Sequence, residues 1–112
     1  MTVEPLPQQG RVRVLRATGE LDVMTSRSVL PALPEMVEGA AGVVLDVSAV
    51  TFFDSSGLRL VDRLARACGG QGAQLRVVAP PGTMARRVLE IAGMVAHLVE
   101  DDLASAVAAV QP

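Results

Sequence analysis

The segment Val43–Val47 constrains the fold more than any other part of this chain. It consists of Val-Val-Leu-Asp-Val, a nearly continuous run of apolar and mostly β-branched residues. Such a run is typical of a central strand covered on at least one face. Residues Arg11–Ala17 instead alternate charged and apolar side chains. This alternation predicts a half-exposed strand, which Gly19–Asp22 closes as a turn.

Helical spacing of apolar residues alternates with these strands along the chain. Helices are predicted at Ser28–Glu38, from Leu58 to a stop at Gly69–Gly70, at about Thr83–Ala92 and at Leu103–Val110. Thr25 or Ser26 is the expected cap of the first helix, and at least one of Pro31 and Pro34 should kink or shorten that helix. Further strands are expected at Leu75–Val78 and Ala96–Val99, and residues 1–10 form an arm with a possible edge strand at Thr2–Glu4. The order predicts an α/β layer fold with mostly parallel strands, in one domain over residues 1–112.

Composition excludes several classes of protein. Of the 112 residues, 50% are hydrophobic and 20% are charged, which is enough to bury a core. No apolar stretch approaches the roughly 20 residues of a membrane helix, and the first ten residues are no signal peptide, so we expect a cytoplasmic protein with no membrane partner. A net charge of −2 and only two aromatic residues argue against nucleic-acid binding.

The residue types in the sequence also give little support for a catalytic or metal-binding site. Cys68 is the only cysteine and His97 the only histidine, and the chain has no lysine. A disulfide, a metal cluster, a histidine-activated serine and a phosphate-binding P-loop are therefore not expected. Cys68 lies on an apolar helical face and should be buried and unreactive, while His97 is expected on a strand near the surface. The sequence predicts no catalytic residue, metal or cofactor.

The junction between the central strand and the second helix, Asp54–Gly57, allows two interpretations. Asp54, Ser55 and Ser56 are residues that cap a helix, and Gly57 permits a sharp change of direction. The same helix start would also tolerate a phosphate on Ser55 or Ser56, because its free N–H groups and partial positive charge favour an anion. The residues of the junction alone leave both interpretations open.

Four segments in the observed order resemble the STAS domain family, and more narrowly its stand-alone bacterial anti-sigma factor antagonists. They are Gly19–Asp22, Val44–Ser48, Phe53–Leu58 and Val88–Met94. The resemblance runs from about residue 11 to the end of the chain. It implies a small mixed, mostly parallel sheet of four to five strands, with about four helices packed mainly on one face.

The resemblance also implies a partner-switching regulator that is not an enzyme. In this family, an anti-sigma factor that is also an ATP-dependent serine kinase phosphorylates the first serine of the Asp-Ser-Ser-Gly motif. The unmodified antagonist binds the kinase and frees a sigma factor, and a PP2C-type phosphatase removes the phosphate. Carried over to this chain, the acceptor is Ser55, and Asp22 should lie on the same surface. The partner-binding residues implied are Asp22, Asp54, Ser56, Gly57, Leu58 and Arg59.

Two features depart from the family pattern. Arg59 stands where many relatives have glycine, and Pro31 and Pro34 are unusual in the first helix. Neither departure affects the acceptor position. The alternatives are a STAS scaffold or ligand-sensing subunit of a transport or signalling complex without a phosphorylation switch, and a weak nucleotide hydrolase.

Overall fold

A five-stranded sheet forms the centre of the fold, and its strands lie side by side in chain order. In the computed structural model, which describes residues 1–7 and 10–112, the strands are β1 (Thr2–Pro5), β2 (Val12–Leu21), β3 (Gly42–Phe53), β4 (Gln74–Val78) and β5 (Val99–Glu100). β1 pairs antiparallel with β2, and the other pairings are parallel. The predicted mixed, mostly parallel sheet is confirmed. Of the predicted arm, Gln8 and Gln9 lie outside the described residues.

Helices cover the two faces of the sheet unequally. They are α1 (Val23–Ser26), α2 (Leu33–Val37), α3 (Ser55–Gly69), α4 (Met84–Ile91), α5 (Val95–Leu98) and α6 (Leu103–Val110). The larger core lies under α2 to α5 and includes Val43 and Leu45 of β3. On the other face, Val44 packs in a smaller cluster with Ala106 and Val110 of α6. Packing mainly on one face is thus confirmed, and β3 is apolar at successive positions because both of its faces are covered.

β2 and β3 extend together beyond the rest of the sheet. The last residue of β4, Val78, pairs with Asp46, whereas β2 stays paired with β3 as far as Leu21 and Phe53. Two register shifts each place one additional residue in β3 along this stretch. Such bulges bend a strand and change the direction of its side chains. The two strands therefore end side by side at one tip of the molecule.

The opposite end of β3 is closed by the last turn of α6. Gly42, the first residue of β3, lies so close to Val110 that a Cβ atom on Gly42 would collide with the Val110 carbonyl oxygen and side chain. Gly42 is therefore required by close packing, and its absent side chain lets α6 sit directly on the strand.

The turn predicted at Gly19–Asp22 is wrong for most of its length. Gly19–Leu21 continue β2, because the extended half of β3 offers them pairing partners. The predicted cap, Thr25 or Ser26, is also wrong. Asp22 caps α1, and Thr25 occupies the third helical position.

The predicted effect of the two prolines is confirmed. In place of one helix over Ser28–Glu38, the chain forms a 3-10 turn at Leu30–Ala32 followed by the five-residue α2. Pro31 and Pro34 each fall in the first turn of their element, where a missing N–H costs no hydrogen bond.

The strand predicted at Ala96–Val99 is wrong except for its last residue. Val95–Leu98 form the one-turn helix α5, and β5 is the two-residue segment Val99–Glu100. His97 therefore lies on a helix, although it is exposed as expected.

The remaining elements lie where the sequence predicts them. These are β1, β4, α3, α4 and α6. Cys68 is buried in α3, and burial raises the pKa of its thiol to about 11, as expected for an unreactive cysteine. Within the described residues, every helix is too short or too polar to cross a membrane.

Candidate functional site

Two aspartates follow directly on the neighbouring ends of β2 and β3. Leu21 and Phe53 are register partners in the last step of the parallel pair, and Asp22 and Asp54 come next in the two chains. Each aspartate caps the helix that starts after it, α1 in one case and α3 in the other. The fold thus brings Asp22 and the motif Asp54–Leu58 to one edge of the sheet.

Asp54 supplies the cap of α3, and this separates the roles of the two serines. The Ser56 N–H donates to the Asp54 carboxylate at 2.8 Å, and the Gly57 N–H donates to the Asp54 carbonyl oxygen at 2.9 Å. The start of α3 is therefore satisfied without a serine hydroxyl.

Ser55 and Ser56 differ most in their exposure. Ser56 is buried, with 8% of its surface exposed, whereas Ser55 at the first helical position is exposed. The Ser55 hydroxyl makes no hydrogen bond to any residue in the ranges 1–7 and 10–112. Of the two hydroxyls at this junction, Ser55 is the one that another protein can reach.

Gly57 and Leu58 fasten the first turn of α3 to the core. A Cβ atom on Gly57 would lie 2.5–2.6 Å from three ring carbons of Phe53, which is itself 2% exposed. The missing side chain thus leaves room for the ring beneath the helix. Leu58 is partly buried and packs against the larger core. Both residues thus face the core and fix the position of the helix start that carries Ser55.

Asp22 forms a reciprocal capping box with Thr25. The Thr25 N–H donates to the Asp22 carboxylate at 2.9 Å, and the Asp22 N–H donates to the Thr25 hydroxyl oxygen at 3.0 Å. The first of these hydrogen bonds is the main reason that the pKa of the Asp22 carboxyl lies below its ordinary value of 3.8. Asp22 is therefore charged at neutral pH.

Two exposed apolar residues follow Asp22 on α1. Val23 is 53% exposed and Met24 is 69% exposed, which is unusual for large apolar side chains. The sequence alone predicts no role for these two residues. A sequence signal for these residues would have been an aspartate that caps a helix, followed directly by a helix that is too short to bury its first residues.

Arg59 lies in the second turn of α3 and is exposed. Its side chain forms no ion pair or hydrogen bond with any of the residues that the structure describes. Asp62, the carboxylate within reach on the same helix, instead pairs with Arg66 at 3.2 Å. The Arg59 guanidinium is thus directed to solvent near the start of α3.

A buried polar cluster around Asp46 has a structural role. The buried Asp46 accepts hydrogen bonds from the Ser48 N–H and hydroxyl at 3.0 and 2.6 Å, and its other oxygen lies 3.5 Å from Arg16. Within the described ranges, no group of three or more histidine, cysteine or acidic residues could hold a metal ion.

A groove of about 430 Å³ lies along α4, and its Arg86 reaches residues that follow β4 and β5. Its partly buried cation, Arg86, already pairs with Asp101 at 2.6 Å and Glu90 at 3.3 Å, and it donates to the Ala79 carbonyl oxygen. The charge of Arg86 is thus already matched, and the other cation of the lining, Arg87, is exposed.

Comparison with known proteins agrees with this arrangement. The sequence profile of the STAS domain family matches residues 5–108. RsfB of Mycobacterium tuberculosis, an anti-sigma-F factor antagonist, is 33% identical over 84 residues, which are 74% of this chain and 67% of RsfB.

Solved structures give the same result. The crystal structure of an anti-sigma factor antagonist from Mycobacterium paratuberculosis superposes with a TM-score of 0.83 at 25% identity, over 99% of this chain and 96% of that one. Phosphorylated SpoIIAA of Bacillus has the same fold, with a TM-score of 0.64 at 19% identity over 98% of this chain and 100% of that one. The chain belongs to the STAS domain family, in its group of anti-sigma factor antagonists, which are non-enzymatic regulators.

Proposed function

We propose that this protein binds an anti-sigma factor that is also a serine kinase while Ser55 is unmodified, and that phosphorylation of Ser55 releases it. Binding of the antagonist would free a sigma factor, and a PP2C-type phosphatase would restore the unmodified form. The observation that carries the proposal is the exposed Ser55 hydroxyl at the first position of α3, beside a buried Ser56.

Phosphorylation of Ser55 would require no unfolding. The carboxylate of Asp54 caps α3, so a phosphate on Ser55 breaks no hydrogen bond of the cap. The partial positive charge of a helix start favours a phosphate there. The folded protein can therefore carry either form of Ser55.

The added charge is large enough to switch binding. A phosphate charge about 5 Å from a partner carboxylate costs on the order of 3 kcal/mol per charge pair at an effective dielectric near 20. This corresponds to roughly a hundredfold loss of affinity. A partner that contacts the start of α3 would thus be released without any change of fold.

The surface around Ser55 combines charge with apolar contacts. Asp22 and Asp54 place two carboxylates at the strand ends, and Val23 and Met24 expose apolar side chains beside Asp22. Exposed large apolar residues next to polar groups mark many protein interfaces. Support also comes from two relatives: RsfB is named for its action on an anti-sigma factor, and SpoIIAA has been obtained in phosphorylated form.

The test is incubation of the purified protein with a purified anti-sigma factor serine kinase from the same organism and ATP. We expect one phosphate, on Ser55. Ser55→Ala should accept none and should bind the kinase constitutively, whereas Ser55→Asp should bind at least about tenfold more weakly, because even one added charge repels a facing carboxylate.

Ser56→Ala is the matched control and should still be phosphorylated, since its hydroxyl is buried. A phosphate that maps to any other residue would contradict the assignment of Ser55. Equal affinity of the wild type and Ser55→Asp would favour a STAS scaffold without a phosphorylation switch.

A further inference from the structure

Arg59 is placed so that it can reach a phosphate on Ser55. It follows Ser55 by four residues in α3, and side chains with this spacing lie one above the other on the same face of a helix. Helical side chains also lean toward the N-terminus, so an arginine at position 59 can extend over the turn in which Ser55 lies. An anion at the first position and a cation four residues later is the favourable orientation of such a pair.

The unmodified protein leaves both residues without a partner in the parts of the chain that the structure describes. Ser55 and Arg59 are exposed, and neither side chain makes an ion pair or a hydrogen bond within residues 1–7 and 10–112. Asp62 could compete for Arg59, but it is held by Arg66. The guanidinium thus has no ion pair to give up when a phosphate arrives.

The other charged residues around the strand ends are mostly acidic. Glu20, Asp22 and Asp54 lie at or beside the ends of β2 and β3. The cations nearby are Arg27, which follows α1, and the Met1 amino group, whose charge helps to lower the pKa of Asp22. A phosphoserine, with a charge of about −1.5 to −2, would enter a region that already carries three carboxylates. Such a region disfavours the second negative charge of the phosphate unless a cation is close.

We propose that Arg59 is the intramolecular counterion of the phosphate on Ser55, so that phosphorylation forms an ion pair within α3. This inference rests on the proposed function. A guanidinium can bind two phosphate oxygens at once, which holds the phosphate against the helix. Arg59 thereby favours the doubly charged phosphate and offsets the surrounding carboxylates.

The test uses protein with phosphoserine incorporated at position 55 during synthesis, which requires no kinase. Titration followed by ³¹P NMR at low salt gives the second pKa of the phosphate in the wild type, Arg59→Gln and Arg63→Gln. Because an ion pair of this type is worth a few tenths of a kcal/mol, we expect Arg59→Gln to raise that pKa by about 0.3 of a pH unit. The difference should vanish in about 1 M salt, where the screening length is about 3 Å.

Arg63→Gln is the matched control, since it removes an exposed arginine from the same helix one turn further on. It should leave the phosphate pKa nearly unchanged. As a second measurement, the NMR signal of the Arg59 Nε–H should shift on phosphorylation while that of Arg63 stays in place. In the unmodified protein, Arg59→Gln should unfold at the same urea concentration as the wild type, because Arg59 then forms no ion pair.

Equal phosphate pKa values in all three proteins, or equal shifts in both variants, would overturn the ion pair. That result would leave the proposed function standing. Failure of an anti-sigma factor kinase to modify Ser55 would instead count against the proposed function, and would leave the measured pKa difference unchanged.

Discussion

The contact between Gly57 and Phe53 yields the sharpest prediction for the start of α3. Gly57 has no positive φ angle, so its identity is not required by the backbone. In Gly57→Ala, the new methyl group would lie 2.5–2.6 Å from the ring carbons of Phe53. Ordinary contacts between carbon atoms are about 3.5–4.0 Å, so either the ring or the helix must move by about 1 Å.

The cost follows from two opposing effects. Overpacking of a well-packed core costs about 1–3 kcal/mol. We expect a cost of about 2–3 kcal/mol here, because the new methyl group would overlap with three atoms of a buried ring. Replacing glycine by alanine inside a helix returns about 1 kcal/mol. Gly57→Ala should therefore lower the free energy of unfolding by about 1–2 kcal/mol.

Urea denaturation followed by circular dichroism measures this change. With a typical dependence of about 2 kcal/mol per molar urea, the midpoint should fall by about 0.5–1 M. Gly69→Ala is the matched control at the other end of α3, where a Cβ atom would meet nothing within 4 Å. That substitution should leave the midpoint unchanged or raise it.

A double substitution tests the cause. In a Phe53→Leu background the ring is absent, so adding Gly57→Ala should cost less than it does in the wild type. A Gly57→Ala protein as stable as the wild type would refute the packing argument. An equal cost in both backgrounds would do the same, because the ring would then have no part in it.

Two further predictions concern single ionisable groups. Since the folded pKa of Asp22 lies below 3.8, its cap contributes stability above about pH 4 that is lost as the pH falls through the folded value. Urea denaturation between pH 7 and pH 3 should thus show that the free energy of unfolding of the wild type approaches that of Asp22→Ala as the pH falls. A difference between the two free energies that stays constant with pH would contradict the charged cap. For Cys68, a thiol pKa of about 11 leaves about a hundredfold less thiolate at pH 8 than in an unfolded chain. Iodoacetamide should therefore label Cys68 much faster in urea than in buffer, as followed by mass spectrometry, and equal rates would be contrary to its burial.

The elements with long, regular patterns were predictable from the sequence, and the short ones were not. α6 buries Ala106 and Val110 one helical turn apart, and the central part of β3 is buried at successive positions because both of its faces are covered, so pattern and packing agree in both elements. Ala96–Val99 has too few residues to distinguish a strand from a helix. In the fold, Val95 and Leu98 pack against the core, and His97 is exposed. Val95 and Leu98 are three residues apart, which is the spacing of a helix, but this spacing becomes clear only in the fold.

The candidate site was predictable in its motif and not in its geometry. The motif Asp54–Leu58 marks a strand–helix junction by composition alone. The choice between a buried Ser56 and an exposed Ser55 depends on how α3 packs on Phe53, which is a tertiary contact. The place of Asp22 beside this junction depends likewise on the register between β2 and β3, including two bulges that no local pattern encodes.

The close approach of Gly42 and Val110 decides where a reporter group can be attached. Because of this contact, the end of α6 packs on the first residue of β3, whereas Ser55 lies two residues after the last residue of the same strand. The exposed Gln111 therefore lies at the far end of the longest strand from the candidate site. Because Cys68 is buried, Gln111→Cys would offer one accessible thiol. A dye attached there could follow complex formation by fluorescence anisotropy without obstructing the partner.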